Sequence, residues 1–368
     1  MEVSEGDVTV EVPALATNGA EDEVFYNPRQ ELNRDVTIAV LRAFSERDPE
    51  ATTYFDAMTA TGIRAVRAAG EGWTVTASDR NPEAVELARQ NLTANELEAS
   101  TERANANVLL HQHDFDVVDI DPFGSPIGFL DAVFARPRRL VCITATDTAP
   151  LCGAHFRAGI RRYSAVPRNT EYHAEVGLRI LLSAICRTAA RYDLAISPIL
   201  SHAESHYVRT YLTLERGATT ADAAVDHLGT LWHCQDCLHR EFERGLLPMD
   251  RPSCPECESN RVVTAGPLWL GPTHESAFVE SVRSHLDAKM NESPRADRML
   301  KTIADELDRP THYDQHVLCK QWNRTAPGMD AFLAEIEAAG YETSRAHYAG
   351  TAFKTDASVE TMRAVTSD

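Results

Sequence analysis

The sequence predicts an α/β fold built on a doubly wound parallel sheet, followed by a smaller α+β part. Strand and helix patterns alternate from Phe25 to about residue 217, which is typical of a parallel sheet with helices on both faces. After residue 217 the pattern changes to a cysteine-bearing segment and further helices. The least regular loops all follow predicted strands, where such sheets bind ligands. These loops are 56–64, 79–82, 121–126 and 146–153.

The elements of the first part follow from periodicity, which separates helices from short apolar strands. Residues 1–23 are acidic and expected to be loose, apart from a short strand at Val8–Val12. The predicted helices cover residues 35–47, 62–72, 81–95, 126–137 and 171–194. The predicted strands lie within residues 51–60, 73–79, 115–121 and 139–147, and two more lie within 195–216.

The second part begins after Gly217 and carries its cysteines within residues 232–262. A helical stretch is predicted over 275–308. The chain then reads as helix (312–323), turn, helix (328–340) and a hairpin around Gly350, an order that resembles a winged helix. We therefore predict two domains, residues 1–217 and 218–368.

The composition bounds the class of protein. An apolar fraction of 43% is enough for a sizeable core, and the sequence has no apolar run of the roughly 18 residues that span a membrane. The acidic beginning lacks the apolar segment of a signal peptide. We expect a cytoplasmic protein whose eight cysteines are not paired in disulfides.

The net charge of -19 comes with very few lysines: Lys289, Lys301, Lys320 and Lys354 among 36 basic residues. Such a surface suits solubility at very high salt, and we interpret it as halophilic; an ordinary acidic enzyme is the alternative. At molar salt the long-range attraction to phosphate is lost. Binding of nucleic acid would then depend on shape, stacking and local arginines. Arg161, Arg162 and Arg168 are candidates for phosphate contacts, and the alternative is that they are surface arginines at the end of a helix.

A nucleotide-binding half is predicted between residues 51 and 82. The first strand ends in a turn with a single glycine, Gly62, and the next strand ends at Asp79. The Asp79 carboxylate can accept both ribose hydroxyls of an adenosine. Because the loop lacks the further glycines that let a backbone approach a pyrophosphate, it fits S-adenosylmethionine better than a dinucleotide. A plain βαβ turn is the alternative.

The stretch "DVVDIDPFGSP" (116–126) ends a buried strand with an acid, a proline and an aromatic. An exocyclic amine on a nucleobase is a poor nucleophile, because its lone pair is delocalised into the ring. Asp121 and the Pro122 carbonyl can hold the two N–H groups, Phe123 offers a stacking face, and the carboxylate stabilises the positive charge that grows on nitrogen. Asp119 is expected to support this group. A strand-terminating turn is the alternative.

Two cysteine pairs predict a metal site. Cys234 and Cys237 precede Cys254 and Cys257, and each pair has a two-residue spacer. Four thiolates on tight turns give a tetrahedral site that selects Zn²⁺. We expect a structural zinc ribbon without catalytic chemistry.

These motifs together resemble the tRNA guanine-26 N2-dimethyltransferases of archaea and eukaryotes, from about residue 24 to residue 356. The resemblance implies a class I, Rossmann-like methyltransferase fold, S-adenosylmethionine as donor and two methylations of one guanine N2 in tRNA. The matching stretches are "FYNPRQELNRDV", "DAMTATGIRAVR", "SDRNPEAVELARQN", "DIDPFGSP", "TATDTAPLCG", "SHYVR" and "SRAHYAGTAFKTDA".

The resemblance also implies roles for single residues. Cofactor contacts fall on Arg34, Arg64 and Asp79, and the aromatic pair that would sandwich the guanine falls on Phe25 and Phe123. A further cofactor contact, an Asp-Ala pair in the family, falls on Asn105 and Ala106. Asn105 is a departure, because an amide cannot supply a charged acceptor.

The resemblance implies tRNA as the partner; we expect no membrane partner and a monomer. Two alternatives stay open. The protein could methylate another exocyclic amine of a nucleic acid, such as adenine N6, or it could be an inactive RNA-binding protein with a zinc ribbon and a winged helix.

Overall fold

The structure is a computed structural model that describes residues 1–13, 24–204, 206–247 and 251–366. Its strands are β1 (Glu2–Glu5), β2 (Val8–Glu11), β3 (Thr53–Asp56), β4 (Thr74–Asp79), β5 (Ser100–Arg103), β6 (Val117–Ile120), β7 (Leu140–Ala145), β8 (Leu194–Glu204), β9 (Tyr207–Arg216), β10 (Leu228–Cys234), β11 (Arg240–Arg244), β12 (Val262–Trp269), β13 (Tyr313–Asp314), β14 (Thr343–Arg345) and β15 (Ala352–Thr355).

The helices of the described residues alternate with these strands. They are α1 (Glu31–Arg47), α2 (Ile63–Gly70), α3 (Pro82–Ala94), α4 (Ala106–Gln112), α5 (Ile127–Phe134), α6 (Thr148–Leu151), α7 (Phe156–Tyr163), α8 (His173–Ala190), α9 (Ala218–Val225), α10 (Ser276–Ser284), α11 (Ser293–Asp305), α12 (Gln315–Gln321), α13 (Met329–Ala338) and α14 (Val359–Val365), and a 3₁₀ turn at Pro28–Gln30 precedes α1. No helix within the described ranges has both the length and the apolar character to cross a bilayer.

A seven-stranded sheet has the order β5-β4-β3-β6-β7-β9-β8. Its neighbours from β5 to β7 pair in parallel. Strands β8 and β9 are neighbours joined by only two residues, so they run antiparallel and the sheet is mixed. The predicted Rossmann-like sheet is therefore confirmed, with an antiparallel addition that the sequence pattern does not show.

The described chain divides into two compact units. The first unit comprises residues 1–144, 209–214 and 275–301, and the second comprises 145–208, 215–274 and 302–368. The predicted domain boundary at residue 217 stays a prediction.

In the first unit, the chain begins with an antiparallel hairpin of β1 and β2. The expected short strand near Val8–Val12 is therefore present, and residues 1–13 are not loose. Residues 14–23, for which the same expectation was made, lie outside the described residues. The hairpin matters for the site because it carries Glu5, whose carboxylate is fully buried.

The predicted helices and strands of the parallel sheet are present, although α1 begins at Glu31 and not at residue 35. Strand β5 and helices α4, α6 and α7 were not expected, and α6 lies within the loop expected at 146–153. Strand β5 is short and largely exposed, and the three helices have at most eight residues. All four residues of β6 are buried, as its continuous apolar run predicts for a central strand. Strands β3, β4 and β6 end at Asp56, Asp79 and Ile120, so loops 56–64, 79–82 and 121–126 follow their carboxyl ends as expected.

In the second unit, β10, β11 and β12 form an antiparallel three-stranded sheet. Near the end of the chain, the predicted helices and hairpin are present as α12, α13 and the antiparallel pair β14 and β15. Helix α12 begins later than expected, because Tyr313 and Asp314 form strand β13 and Asp314 caps the helix.

A buried network of charged groups links distant parts of the second unit. The Lys354 Nζ atom lies 3.1 Å from a Glu175 oxygen and 2.8 Å from a Glu306 oxygen. His312 pairs with Glu175, and His347 pairs with Glu306. Burial would raise the pKa of Glu306, but Lys354 and His347 lower it to about 2. Removal of one partner from such a network is costly because it leaves a buried charge unpaired.

Candidate active site

The loop between β3 and α2 depends on a glycine at its end. Gly62 has a φ of 80° and directly precedes α2. A Cβ atom at this position would lie 2.8 Å from both Cα and Cβ of Ala88 on α3. Only glycine combines this backbone conformation with so close an approach of the two segments.

Asp79 lies where β4 ends and is held by the backbone of two loops. One carboxylate oxygen accepts the Ala60 amide at 3.1 Å, and the other accepts the Asn81 amide at 2.9 Å. The residue is partly exposed. Because an ionised carboxylate has about four acceptor positions, two remain for ribose hydroxyls. Asp79 therefore fits the predicted contact with an adenosine.

Asn105 and Ala106 lie at the start of α4. The Asn105 side chain is exposed and accepts the Asn107 amide at 3.0 Å, so it caps the helix. Ala106 is buried. Capping explains why an amide is tolerated at this position, since Asn and Asp are both good N-cap residues. The role of both residues in cofactor binding stays a prediction.

Asp121 follows β6 and is held by Arg64 of α2. The Arg64 Nε atom donates a 2.8 Å hydrogen bond to Oδ2 of Asp121, and Nη2 lies 2.6 Å from the same oxygen. The Arg64 side chain is 8% exposed and that of Asp121 is 19% exposed. Burial would lower the pKa of Arg64, but Asp121 and Asp119 raise it above its ordinary value. Arg64 thus fixes one oxygen of Asp121, and among the described residues Oδ1 has no hydrogen-bond partner.

Asp119, two positions earlier on the same strand, is fully buried. Both of its oxygens accept hydrogen bonds from Arg209 at 2.7 Å, and Tyr54 donates to it at 2.8 Å. Burial would raise the pKa of Asp119, but Arg209 and Arg64 hold it below its usual range. The carboxylate is saturated with protein donors, which agrees with the supporting role expected for it.

Asp56, at the end of β3, was not among the predicted site residues. It is 2% exposed and accepts a 2.7 Å hydrogen bond from the Thr59 hydroxyl. Burial and the neighbouring Asp119 carboxylate raise its pKa to about 7, although Thr59 and Arg64 oppose the shift. Its position as an acid at the end of a strand, like Asp79, is the sequence signal that could have identified it.

Phe25 and Phe123, the predicted aromatic pair, lie close together, and their role as a sandwich for the guanine stays a prediction. Their ring centroids are 5.9 Å apart at an angle of 71°. Phe123 is 91% exposed and Phe25 is 56% exposed. Both rings therefore remain accessible to a ligand and are not part of the hydrophobic core. Because the rings meet edge to face and their centroids are close, a base could lie between them only after one ring turns and the two rings move apart.

Arg34 is buried beneath the segment that carries Phe25. Its guanidinium forms two contacts with Glu5, at 2.7 and 2.5 Å, and donates to the Asn27 carbonyl at 3.2 Å. Tyr26 also donates to Glu5. Burial would raise the pKa of Glu5, but Arg34 and Arg67 lower it below its usual value. This network holds the two residues that directly follow Phe25. The cofactor role of Arg34 stays a prediction.

The four cysteines of the second unit come together on two equivalent turns. In each pair the first cysteine amide donates to the carbonyl five residues later, and its carbonyl accepts from the residue four positions later. The residues after the pairs, Leu238 and Glu258, both have a left-handed backbone. This shared geometry directs all four Sγ atoms toward one point.

The sulfur positions fit a zinc ion. The four Sγ atoms lie within 4.8 Å of one another, and the distances from Cys234 to Cys257 and from Cys237 to Cys254 are 3.6 Å. Zn–S bonds of about 2.3 Å in a tetrahedron require S···S distances of about 3.8 Å. Each thiolate would hold the ion from one corner, which leaves no open position for a substrate.

The structure brings the predicted residues of the first unit together in pairs: Arg64 with Asp121, and Phe25 with Phe123. Sequence reasoning missed Asp56, Glu5 and Arg209. Glu5 pairs with Arg34, Arg209 pairs with Asp119, and Asp56 accepts a hydrogen bond from Thr59. Arg209 ends the motif "SHYVR", but nothing in that motif reveals its partner Asp119.

Comparison with known proteins gives the same family along the whole chain. Residues 6–367 match the family described as N2,N2-dimethylguanosine tRNA methyltransferase. The protein named tRNA (guanine(26)-N(2))-dimethyltransferase in Halobacterium salinarum is 57% identical over 99% of both chains. Its namesake in Methanosarcina barkeri is 44% identical over 99% of this chain and 97% of its own.

A solved structure of a related protein has the same fold along nearly the full length of the chain. The complex of Trm1 from Pyrococcus horikoshii with S-adenosyl-L-methionine superposes with a TM-score of 0.89, at 33% identity over 99% of both chains. The fold class predicted from the sequence is thereby confirmed. Because the family match and these relatives extend along nearly the full length, the chain belongs to the N2,N2-dimethylguanosine tRNA methyltransferase family.

Proposed function

We propose that the protein transfers two methyl groups from S-adenosylmethionine to the exocyclic N2 of guanine 26 in tRNA, after the base has been flipped out of its stack. The observation that carries the proposal is Asp121, which presents one free carboxylate oxygen beside an exposed aromatic pair. The names of the relatives, tRNA (guanine(26)-N(2))-dimethyltransferase, and the S-adenosyl-L-methionine in the Pyrococcus horikoshii complex support it.

Asp121 is the group that acts on the amine. Its Oδ1 accepts one N–H of the guanine amino group and stabilises the positive charge that grows on N2 during transfer. The Pro122 carbonyl accepts the second N–H in the first methylation. Each transfer breaks the methyl–sulfur bond of the donor, which leaves as a neutral thioether, and the proton lost from N2 passes through Oδ1 of Asp121 to solvent. After the first transfer a single N–H remains, so the second methylation needs only the Asp121 acceptor, and the nitrogen then carries no hydrogen.

Arg64 is a positioning residue in this proposal. Its guanidinium holds Oδ2 of Asp121 with a short contact and a hydrogen bond. The carboxylate therefore cannot rotate away from the base, and productive orientation is set before the substrate arrives.

Phe25 and Phe123 hold the flipped guanine by stacking. The base replaces the present edge-to-face contact between the two rings. The ion pair between Glu5 and Arg34 maintains the segment that carries Phe25.

The donor pocket is assigned to Asp79, Gly62 and the start of α4, with Arg34 and Arg64 nearby as the resemblance implies. Asp79 has the acceptor positions that ribose hydroxyls need. S-adenosylmethionine supplies an electrophilic methyl group when it is bound. Zn²⁺ at the four cysteines has a structural role, which is to fold the β10–β12 sheet that helps to position tRNA.

The test is nucleoside analysis of tRNA after incubation with the enzyme and S-adenosylmethionine in molar KCl. We expect N2-methylguanosine and then N2,N2-dimethylguanosine from a tRNA transcript that carries guanine at position 26. A matched transcript with adenine 26 should give neither product. Methylated adenine in either transcript would favour the adenine N6 alternative, and S-adenosylmethionine binding without any methylated nucleoside would favour an inactive RNA-binding protein.

A further inference from the structure

A stretch of the second unit differs in charge from the rest of the chain. Residues 148–170 contain no Asp or Glu, and this is the longest such interval in a sequence with 55 acidic residues. The same interval carries Arg157, Arg161, Arg162 and Arg168. In a protein of net charge -19, so local an excess of positive charge needs a physical reason.

Helix α7 forms the exposed part of this stretch. Gly159 lies against the protein so closely that a Cβ there would be 2.6 Å from both the Pro150 carbonyl and the Pro167 ring. Tyr163 is 1% exposed and its hydroxyl bonds to Asp147. The buried side of α7 is thus fixed, and the rest of the helix faces solvent.

The four arginines have different environments. Arg162 pairs with Asp147 at 2.9 Å. Arg168 donates to the Thr264 carbonyl, and its guanidinium lies 5.1 Å from the centre of the Phe156 ring. Arg157 and Arg161 are exposed, and within the described part of the chain neither has a carboxylate partner.

The placement of Arg157 and Arg161 is unfavourable for the helix alone. They are four positions apart, where like charges repel on a helix surface. Arg157 also lies in the first turn, where the helix dipole disfavours a cation. Arg161 in the last turn is favoured by the dipole, so helix stability explains one of the two residues and not the pair.

Two apolar side chains accompany these charges. Phe156 is 37% exposed and Ile160 is 39% exposed, and they occupy the i and i+4 positions next to the arginine pair. Guanidinium groups beside exposed apolar side chains fit a ribose-phosphate backbone, which presents anionic oxygens next to the less polar faces of the sugars.

We propose that the outer face of α7, formed by Phe156, Arg157, Ile160 and Arg161, contacts the phosphate backbone of the substrate tRNA. This inference rests on the proposed function and adds a tRNA-contacting surface, which the proposed function does not specify. Arg157 and Arg161 each hold a phosphate, while Phe156 and Ile160 exclude water from the contact. Short-range guanidinium contacts persist at molar salt, where long-range attraction to RNA is screened.

The experiment compares four full-length proteins: wild type, Arg157→Gln with Arg161→Gln, Arg157→Lys with Arg161→Lys, and a control pair, Arg216→Gln with Arg363→Gln. The control removes the same charge from exposed positions on other elements of the second unit. Initial rates are measured against tRNA concentration at several KCl concentrations, and S-adenosylmethionine affinity is measured by calorimetry.

We expect the glutamine pair on α7 to raise the KM for tRNA by about tenfold, with kcat and donor affinity within about twofold of wild type. The dependence of log(kcat/KM) on log[KCl] should become shallower by about one to two units, since two phosphate contacts are lost. The lysine pair should recover most of the affinity, and the control pair should behave as wild type.

An unchanged KM for the glutamine pair, or an equal change in the control pair, would overturn the inference and leave this face for a protein partner. A wild-type enzyme that methylates no tRNA would instead refute the proposed function. If the double variant does not fold, as judged by circular dichroism, the two single glutamine variants take its place with the same expected direction.

Discussion

Asp119 and Asp121 lie two positions apart, yet their carboxylates differ in burial and in hydrogen bonding. Asp119 is fully buried and both of its oxygens are occupied by Arg209. Asp121 is 19% exposed and, among the described residues, only one of its oxygens is held, by Arg64. A carboxylate can act on a substrate only where an oxygen is accessible, and for this reason the proposed function gives the chemistry to Asp121 and a supporting role to Asp119.

The first prediction concerns Asp121. Asp121→Ala should lower kcat by on the order of 10²-fold or more, because the acceptor for the amine and its growing charge is lost. S-adenosylmethionine affinity, measured by calorimetry, should stay nearly intact. Asp131→Ala, which removes an exposed acid on α5, is the control and should keep its rate. Near-normal turnover by the Asp121 variant would contradict the assignment.

The second prediction concerns Asp56 and pH. Its folded-state pKa of about 7 lies above the ordinary value, so ionisation in the folded protein is costly. Stability from this group is present at low pH and is lost as pH rises from about 4 to about 7. Asp56→Asn does not have this loss. The free energy of unfolding of the variant minus that of wild type should therefore rise by about 1–3 kcal/mol between pH 5 and pH 8.

Denaturant unfolding of both proteins at the two pH values, in the same salt, makes this measurement. Comparison with wild type cancels the contributions of Asp119, Asp121 and Arg64, which surround Asp56. Parallel stability profiles for the two proteins would show that Asp56 is ionised in the folded state throughout this range.

At the scale of elements, two glycines at the ends of α2 offer a matched comparison. Both have a left-handed backbone, with φ of 80° at Gly62 and 88° at Gly72. A Cβ at Gly62 would collide with Ala88, whereas at Gly72 it would meet no atom of the described residues within 4 Å. The two sites therefore share backbone strain and differ in packing.

We expect Gly72→Ala to lower the free energy of unfolding by about 1 kcal/mol, the cost of the left-handed backbone. Gly62→Ala should cost about 2–4 kcal/mol, because overpacking is added, and it should weaken S-adenosylmethionine binding by displacing the start of α2. Thermal unfolding and calorimetry measure both effects. Equal costs at the two sites would mean that α2 and α3 separate without penalty.

The cysteine turns are a second test at this scale. Cys254→Ser should release the zinc ion and destabilise residues 220–265, since the four thiolates hold the small sheet together. Methylation of tRNA should fall, while S-adenosylmethionine affinity stays unchanged. Metal analysis, hydrogen exchange and calorimetry measure these effects, with Cys152→Ser as the control outside the cluster. Loss of metal with undiminished tRNA methylation would refute the positioning role of this sheet.

For the whole molecule, the net charge of -19 predicts that salt stabilises the fold. Repulsion among surface carboxylates extends about 10 Å at 0.1 M salt and about 3 Å at 1 M. Exposed ion pairs such as Arg89–Glu86 also weaken, but each contributes little. The unfolding temperature should therefore rise by at least about 5 °C from 0.1 M to 2 M KCl.

Sucrose at equal osmolality is the control for the salt series, because it is excluded from the surface without screening charge. A similar rise of the unfolding temperature in sucrose would mean that exclusion of the solute from the protein surface, and not the screening of charge, stabilises the fold. A fall in the unfolding temperature with KCl would refute the halophilic interpretation.

The features that can be predicted from this sequence are those encoded locally. Periodicity identifies the buried strand β6, and the two C-x-x-C pairs identify the metal site, because burial on a face and ligand spacing are properties of a few consecutive residues. Strand β5 was missed because its short segment has no buried face, and α4 was missed because its 7 residues cover only about two helical turns. The acids at the strand ends, Asp79 and Asp121, could be predicted because the carboxyl ends of parallel strands share one edge.

The pairing of distant side chains was decided only by the tertiary structure. Phe25 meets Phe123, Glu5 joins Arg34, and Lys354 bridges Glu175 and Glu306. Each partner is an ordinary residue in its own segment. Its environment, and therefore its charge and reactivity, is set by which segments the fold packs against it. A local sequence pattern cannot predict these pairs, because the partners lie far apart along the chain and lose their contact with water only when folding brings them together.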